Sequence, residues 1–300
     1  MAAATEPALR VRCPAKVNLG LWVLGRRSDG YHEIDTVLQT IALEDDLELG
    51  PGTRGLTFDA RGLRIPGEGP NLVERAWALL RDEGLLPPGA SLAATLTKRI
   101  PVGAGLGGGS SDAAGMLAGV NRFFDLGLEE SDLERLAARL GSDVAYFIRG
   151  GTARATGRGE RVGHLCPTAP FWLVLMSPPV AISTTWAYGQ IRNGLTGAGS
   201  DATMLAAALA NGALEAVARA MRNVFEDVIL PLYPEIGAMK RALQSSGAMG
   251  AQLTGSGSTM FGVVESREAA LDVAAKVSSW RAEIRVVRTL ERGVIVARRS

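Results

Sequence analysis

The chain has 300 residues, of which 47% are hydrophobic, 21% charged and 5% aromatic, and its formal net charge is +1. This composition is that of a soluble globular protein with room for one or two domains, and it excludes a fibrous or disordered chain. The 32 Lys and Arg residues nearly balance the 31 Asp and Glu residues, so the net charge does not indicate nucleic-acid binding. Any bound anion has to be held by a local group of residues.

The first half of the chain opens with apolar, β-prone segments at residues 9–13, 17–24 and 31–41. A Ser-Asp-Gly turn signal precedes the third segment, which predicts that the second and third strands form a hairpin. Further along, Asn71 is placed to cap a helix that runs to about Glu83. A strand over residues 92–97 then leads into a glycine-rich segment, so the predicted order is strand, loop, helix.

Two helices are predicted after the glycines. Apolar residues recur at spacings of three, four and seven across residues 113–124, which is typical of an amphipathic helix, and Ser111 or Asp112 would cap it. The second helix covers residues 131–140 and begins with a capping box, in which Glu134 lies three residues after Ser131.

The second half of the chain is predicted to be a separate domain. Composition changes through the glycine-rich residues 150–163, so we place a boundary near residue 160, between domains of residues 1–160 and 161–300. Strands and helices then alternate in an order that favours an α+β sandwich of the ferredoxin-like kind. The strands are predicted at residues 171–176, 251–253, 259–264 and 284–288, and the helices at residues 205–221, 234–245 and 268–280.

The two cysteines indicate the compartment. Cys13 and Cys166 form neither a disulfide framework nor a metal-ligand spacing, which favours a reducing environment. The first ten residues lack the basic start and apolar run of a signal peptide, and no apolar stretch is long enough to span a bilayer. We therefore expect a cytoplasmic protein with neither a membrane nor a nucleic acid as its partner.

The glycine-rich segment at residues 101–111 has the composition of an anion site. It joins a strand to a helix start, where backbone N–H groups and the helix dipole favour phosphate, and glycines let the backbone approach closely. It is not a Walker A loop, because the Gly-Lys-Ser/Thr ending is absent. The spacing of Gly103, Gly105 and Gly108 leaves a dinucleotide-binding fingerprint open, but the paired serines that follow argue for phosphate or Mg²⁺.

Three further polar segments each have a purely structural interpretation when they are considered one at a time. Lys16 and Asn18 alternate with apolar neighbours and so project from one face of a strand, which is also the pattern of a solvated strand. Residues 253–261 form a glycine-serine turn between two apolar segments, as in any hairpin. Asp143 follows Ser142 at a predicted helix start, with Ser142 as its cap, where a carboxylate is usually structural.

Three segments in this order resemble the signature motifs of the GHMP kinases, a family named for galactokinase, homoserine kinase, mevalonate kinase and phosphomevalonate kinase. They are residues 14–21, 101–114 and 254–261. The likeness covers nearly the whole chain after about residue 10 and is closer to the branch of the family that phosphorylates a cytidine-diphosphate-linked sugar alcohol. That closer likeness rests on residues 25–33, 107–114, 151–153 and 157–160.

The resemblance implies an α+β protein with the two-domain GHMP kinase fold. It would have an N-terminal ribosomal-protein-S5-like domain and a C-terminal ferredoxin-like α/β sandwich. It implies ATP as the co-substrate, Mg²⁺ as its metal and a small-molecule cytidine-diphosphate sugar alcohol as the acceptor. The protein would be a monomer or a homodimer.

The resemblance also implies roles for individual residues. Asp143 matches the catalytic base, Lys16 matches the lysine that orients this carboxylate, and Asn18 would position the acceptor hydroxyl. The glycine-rich segment matches the cradle for the phosphates of ATP, in which Ser111 is the candidate Mg²⁺ ligand. The cradle residues are Pro101, Val102, Gly103, Ala104, Gly105, Leu106, Gly107, Gly108, Gly109, Ser110 and Ser111.

Three aromatic residues match the acceptor side of the family's site. Tyr31 and His32 match the pair that holds a cytosine, by stacking and by hydrogen bonding respectively. Tyr188 would supply the opposite stacking ring. Because stacking tolerates any base, selectivity for cytosine would come from hydrogen bonds around His32.

Three alternatives stay open at this point. Another GHMP kinase, of the homoserine or mevalonate type, would share the machinery but not Tyr31 and His32. A catalytically silent sensor with this fold would bind ATP and a ligand, although Lys16 and Asp143 argue against it. A nicotinamide-dependent oxidoreductase would need a strand after the helix over residues 113–124, where a second helix is predicted instead.

Overall fold

A computed structural model describes residues 9–65, 69–166, 169–191 and 200–298 of the chain. The strands are β1 (Leu9–Arg26), β2 (His32–Pro51), β3 (Gly55–Gly62), β4 (Ser91–Lys98), β5 (Thr152–Gly157), β6 (Arg161–His164), β7 (Trp172–Ser177), β8 (Arg222–Asn223), β9 (Gly250–Leu253), β10 (Met260–Val264), β11 (Glu283–Arg288) and β12 (Ile295–Arg298). The helices are α1 (Leu72–Asp82), α2 (Gly108–Phe124), α3 (Glu130–Leu140), α4 (Val144–Arg149), α5 (Thr184–Gly189), α6 (Ala202–Ala210), α7 (Leu214–Ala220), α8 (Glu226–Leu232), α9 (Pro234–Ser245) and α10 (Arg267–Lys276).

The first sheet is built on the predicted hairpin. β1 and β2 pair along almost their whole length, and bulges at three places bend the pair. β12, β1, β2, β4 and β3 lie side by side in this order, while β5 pairs with β2, β6 with β5 and β8 with β1. Helix α2 lies against this sheet, and α1, α3 and α4 pack around α2 to enclose the first hydrophobic core.

The second sheet confirms the predicted ferredoxin-like sandwich. Its four strands lie in the order β11, β7, β10, β9, and every neighbouring pair is antiparallel. Along the chain, β7 is followed by helices, then by β9 and β10, then by α10 and β11, which is the β-α-β-β-α-β order. Together with the first sheet, this makes the chain a two-sheet α+β protein.

The prediction for the helix after the glycines was wrong about its start. Helix α2 begins at Gly108, so Ser111 and Asp112 lie inside its first turns and neither caps it. The N-cap is Gly107, whose φ of 72° is in the left-handed region that glycine adopts at little cost. The glycines therefore form the helix start as well as the loop before it.

Of the two predictions made for the caps of α1 and α3, the first was confirmed and the second was wrong. Asn71 caps α1 as predicted, and its amide oxygen accepts hydrogen bonds from the first turn in a full capping box. In α3 the box is formed by Glu129 and Asp132, each two positions before the predicted Ser131 and Glu134. Carboxylates served here because they accept hydrogen bonds from backbone N–H groups as well as a serine does.

The helix predicted over residues 205–221 is two helices. Gly212, with a φ of 65°, separates α6 from α7, because a left-handed residue ends a helix. The short helices α5 and α8 were not predicted, since six or seven residues carry too little periodicity to be recognised. Helix α9 has the predicted bounds, and α10 ends at Lys276, four residues early.

The end of the chain returns to the first sheet. β12 pairs with β1, and Arg298 lies opposite Leu9. The chain therefore passes from the first sheet to the second and back, and the boundary near residue 160 stays a prediction. Within residues 9–65, 69–166, 169–191 and 200–298, no helix combines the length and the apolar character that crossing a membrane requires.

Candidate active site

A single large cavity brings together the polar residues that the sequence singled out. Its volume is about 1240 Å³, more than the usual range for a site that holds one small ligand. It therefore has room for two ligands of nucleotide size. The predicted residues that line it are Lys16, Asn18, Tyr31, His32, Pro101, Val102, Gly103, Ala104, Gly105, Leu106, Gly107, Gly108, Gly109, Ser110, Asp143 and Tyr188.

Lys16 lies at the centre of this arrangement. Its Nζ donates to Asn18 Oδ1 at 2.6 Å and to the carbonyl oxygen of Gly105 at 3.0 Å, which confirms that Lys16 and Asn18 share a strand face. The Asn18 side chain donates in turn to Thr36 Oγ1 at 2.8 Å. Burial lowers the pKa of Lys16, and the Asp143 carboxylate opposes that shift. The ammonium is thus held by two hydrogen bonds within the cavity.

Asp143 places an accessible carboxylate beside this lysine. Its Oδ2 lies 3.8 Å from Lys16 Nζ, and its side chain remains 39% exposed. Ser142 does not cap the helix as predicted, because Asp143 occupies the N-cap position and the Val144 N–H bonds to Gly141 O at 3.1 Å. The Asp143 side chain makes no capping hydrogen bond either. The carboxylate is therefore available to a molecule in the cavity.

The glycine loop is held by its carbonyl groups. Three of its carbonyl oxygens accept hydrogen bonds from backbone N–H groups of segments packed behind it, at 3.0–3.4 Å. The N–H groups of the first turn of α2 have no carbonyl partners within the helix, a geometry that is suited to binding an anion. The three bonds run from Ile182 to Gly103, from Thr259 to Ala104 and from Lys16 to Leu106.

A Gly105→Ala substitution is expected to destabilise the protein by more than about 2 kcal/mol. Gly105 has a φ of 78°, and an added Cβ would lie only 2.1 Å from the carbonyl oxygen of Thr254. Gly109→Ala is the matched control, because there the nearest atom is Leu72 Cδ1 at 3.7 Å and the backbone is helical. The free energy of unfolding of the control should exceed that of the unsubstituted protein by no more than about 1 kcal/mol, because alanine favours a helix over glycine. Denaturant unfolding measures both, and equal stabilities would contradict the argument.

Ser111 differs from the other predicted loop residues. It is fully buried inside α2 and does not line the cavity, whereas Ser110 does. Its hydroxyl oxygen has no hydrogen-bond partner among the described residues. The described residues also contain no cluster of three His, Cys, Asp or Glu side chains that could hold a metal. Ser111 as a Mg²⁺ ligand stays a prediction.

Aromatic and basic side chains line the far end of the cavity. The rings of His32 and Tyr188 are stacked, with centroids 5.2 Å apart and planes 26° apart, and Tyr188 meets Phe225 edge to face. Tyr31 is 56% exposed, and the Arg158 guanidinium lies 4.8 Å from the centre of its ring. The structure thus brings His32 and Tyr188 into contact, and Tyr31 lines the same cavity with its side chain largely exposed.

The charge of Arg26 acts on His32. Burial lowers the pKa of His32, and the nearby Arg26 guanidinium lowers it further. An Arg26→Gln substitution is expected to raise the pKa of His32 towards its ordinary value, because a like charge is removed. Arg27→Gln is the control, since the Arg27 guanidinium is already paired with Glu33 at 2.6 Å.

An NMR titration can measure this pKa, because the chain has only two histidines. A His32 pKa that stays constant or falls in Arg26→Gln would show that the charge of Arg26 does not reach the ring.

The glycine-serine turn of residues 254–258 joins the two halves of the site. Thr254 Oγ1 accepts from the Asn18 N–H at 3.1 Å and donates to the carbonyl oxygen of Gly105 at 3.1 Å. Asn223 fixes the turn from behind, by donating from its side chain to Gly255 O at 2.8 Å. The three signature segments therefore meet at one place, around the Lys16 ammonium.

Sequence reasoning missed a buried ion cluster beneath the glycine loop. Lys98 Nζ lies between the carboxylates of Asp45 and Asp112. Burial lowers the pKa of Lys98, but the carboxylates outweigh burial and the net shift is upward. Burial, reinforced by Asp45 and opposed by Lys98, raises the pKa of Asp112 to about 7. The alternation Leu92, Ala94, Leu96, Lys98 was the available signal, since it places the lysine on the buried face of β4.

Two family models and several known proteins are similar to this chain. Residues 71–151 match the family described as GHMP kinases N terminal domain, and residues 205–282 match GHMP kinases C terminal. A 4-diphosphocytidyl-2-C-methyl-D-erythritol kinase from Symbiobacterium thermophilum is 44% identical over 283 residues, covering 94% of this chain and 100% of the relative. One from Pelotomaculum thermopropionicum is 42% identical over 276 residues, covering 92% and 96%.

A solved structure is similar across the same length. The crystal structure of a 4-(cytidine 5'-diphospho)-2C-methyl-D-erythritol kinase superposes with a TM-score of 0.79 at 34% identity, covering 93% of this chain and 98% of that one. These matches define the class of the protein, which is an ATP-dependent small-molecule kinase with the GHMP kinase fold. The identities above 40% extend over more than nine-tenths of the chain. The chain belongs to the 4-diphosphocytidyl-2-C-methyl-D-erythritol kinase family.

Proposed function

We propose that this kinase transfers the γ-phosphate of ATP to the 2-hydroxyl of 4-diphosphocytidyl-2-C-methyl-D-erythritol. The products are the 2-phosphate and ADP, and the reaction belongs to the non-mevalonate route to isoprenoid precursors. The observation that carries the proposal is the similarity to relatives of that name over nearly the whole chain. The aromatic end of the cavity, where His32 and Tyr188 are stacked, supports it as a place for the cytosine.

Phosphoryl transfer requires an aligned hydroxyl, positioned phosphates and a group that accepts the hydroxyl proton. We assign the last role to Asp143, whose carboxylate is accessible. The acceptor oxygen forms a bond to the γ-phosphorus, the bond between that phosphorus and the bridging oxygen of ADP breaks, and the proton passes to Asp143. Lys16, 3.8 Å from that carboxylate, orients it and stabilises negative charge that develops nearby. Asn18 positions the hydroxyl.

We assign the phosphates of ATP to the glycine loop, residues 101–111, and to the N-terminus of α2. Backbone N–H groups and the helix dipole at this point are suited to a polyanion. Mg²⁺ would neutralise charge on the phosphates, with Ser111 and phosphate oxygens as candidate ligands. The volume of about 1240 Å³ leaves room for the acceptor beside the nucleotide.

We assign the cytosine to the aromatic end of the cavity. Tyr31 and Tyr188 would stack on the two faces of the base, and His32 would form hydrogen bonds to its edge. The lowered pKa of His32 favours a neutral imidazole, which has one donor and one acceptor nitrogen to offer to a base. Arg26 and Arg158 also line this end and add positive charge suited to the acceptor's diphosphate.

We further propose that the protein acts in the cytoplasm as a monomer or a homodimer. Neither Cys13 nor Cys166 is paired in a disulfide, which suits a reducing compartment. Sedimentation analysis of the purified protein would distinguish the two oligomeric states, and a larger assembly would contradict both.

The test of the function is ADP release by the purified protein with Mg-ATP and 4-diphosphocytidyl-2-C-methyl-D-erythritol. Parallel reactions contain homoserine, mevalonate or no acceptor. We expect release with the cytidine compound alone. Release with a different alcohol would overturn the substrate but not the mechanism. If none of the three acceptors leads to ADP release, a silent sensor would be favoured.

A further inference from the structure

Three charged side chains are buried together under the glycine loop. Lys98 is 4% exposed, Asp45 is 0% exposed and Asp112 is 2% exposed. The Lys98 ammonium donates to both carboxylates, and its distance to Asp112 Oδ2 is 2.6 Å. We refer to these residues as the Lys98 cluster.

The Lys98 cluster connects the two ends of the loop. On the side that leads into it, Asp45 Oδ1 accepts from the N–H groups of Arg99 and Ile100 at 2.5 and 2.9 Å. On the side that leaves it, Asp112 lies one turn into α2. Lys98 bridges the two carboxylates, so one network fixes the chain immediately before the loop and immediately after it.

The cluster also lies directly below the start of α2. A Cβ added to Gly108 would be 3.1 Å from Lys98 Nζ, so the ammonium touches the first helical residue. Lys98 and Asp112 both line the large cavity. Asp112 Oδ1 has no hydrogen-bond partner among the described residues, although it is buried. The cluster therefore borders the cavity beside the glycine loop and is not a distant part of the core.

Stability alone does not account for the cluster. Desolvation of buried ions is costly, and hydrophobic replacements of such groups are often neutral or stabilising. Nor does the cluster attract phosphate by its charge, because two carboxylates accompany a single ammonium. What the arrangement supplies is a rigid, directional connection between β2, β4 and α2, the kind of support that holds a binding loop in one geometry.

We propose that Lys98, Asp45 and Asp112 are positioning residues that hold the glycine loop in the conformation that binds ATP. The proposal rests on the assignment of this loop to the phosphates of ATP. It predicts that breaking the cluster weakens nucleotide binding more than acceptor binding, even when the folded state is equally stable.

The experiment compares a double variant, Lys98→Met with Asp112→Asn, with the unsubstituted protein. The ammonium is removed together with one of the two carboxyl groups that it bridges, and Asp45 keeps its two backbone donors. We expect a lower Tm, because the buried Asp45 carboxylate loses its cation, so all binding and kinetic measurements are made well below the Tm of the variant. The KM for ATP should rise about tenfold or more, while the KM for the acceptor changes less than about twofold. The matched control is Arg154→Met with Asp35→Asn. It removes an ion pair whose nitrogen and oxygen are 2.6 Å apart and whose two residues do not line the cavity.

An unchanged KM for ATP in a folded double variant would overturn the proposal, and so would equal rises in both KM values. If the double variant does not fold, Asp112→Asn alone is the second test, because it keeps the shape of the side chain and the pairing of Lys98 with Asp45. It should still raise the KM for ATP several-fold, and an unchanged value would count against the proposal.

Lys98→Arg, which retains a cation between the carboxylates, should recover part of the ATP affinity that Lys98→Met loses. Equal affinities in these two variants would also contradict the proposal. Direct titration of each protein with Mg-ATP, without acceptor, gives a dissociation constant that does not depend on the acceptor. A wrong acceptor would therefore leave this test intact, and failure of the unsubstituted protein to bind ATP would identify the proposed function as the error.

Discussion

Asp143→Asn is expected to lower turnover by a factor of about 10²–10⁴, the usual contribution of a positioned general base. The substitution keeps the size of the side chain but removes the group that takes the proton from the acceptor. Asp143 is 39% exposed and makes no capping hydrogen bond, so its loss should not disturb α4. The dissociation constant for Mg-ATP should stay within about threefold of that of the unsubstituted protein, because the base acts on the acceptor and not on the nucleotide.

Single-turnover kinetics and a separate ATP titration measure these two quantities. Asp82→Asn is the matched control, since Asp82 is an exposed residue at the end of α1 whose ion pair among the described residues is with its neighbour Arg81. The control should keep full turnover. If Asp143→Asn turns over at the original rate, the general base lies elsewhere. If it loses ATP binding to the same extent as turnover, the carboxylate acts on the nucleotide.

Most of the fold could be predicted because apolar periodicity and turn residues agree in this chain. The hairpin of β1 and β2, the Asn71 cap and the bounds of α9 all follow from local patterns. The errors occurred where several local solutions compete. Gly107 could end a loop or begin a helix, and only the packing of α2 against the first sheet decides between them.

The candidate site was predictable where its residues belong to contiguous motifs. Lys16 and Asn18 are two residues apart, and the glycine loop is a continuous segment, so both were visible. The Lys98 cluster could not be predicted, because its three residues belong to three different elements and none of them alone indicates a buried ion pair. A lysine at the end of a strand usually has its charge in solvent. Only the pairing of β2 with β4 shows that Asp45 faces it.

Arg158 was missed as a site residue for a similar reason. It lies in the segment that follows β5, more than a hundred residues from Tyr31, and no local pattern places its guanidinium over that ring. The stacking of His32 on Tyr188 is also a tertiary feature. The residue types were informative in sequence, but their partners depended on how β1, β2 and α5 come together.

Tyr31→Ala is expected to raise the KM for the cytidine acceptor about 5- to 150-fold, the equivalent of losing ~1–3 kcal/mol of base stacking. Tyr31 is 56% exposed, so its ring contributes little to the core and the Tm should change by only a few degrees. The KM for ATP should stay constant, because the glycine loop lies at the other end of the cavity.

Tyr31→Phe separates the ring from its hydroxyl group. If stacking is the contribution, the phenylalanine keeps most of the affinity for the acceptor, and its KM should remain within about threefold of the original. Steady-state kinetics with each substrate varied in turn give the two KM values for each variant. Equal rises in both for Tyr31→Ala would contradict a role confined to the cytosine. A Tyr31→Phe variant as weak as Tyr31→Ala would move the contribution from the ring to the hydroxyl, because the two variants share only the loss of that group.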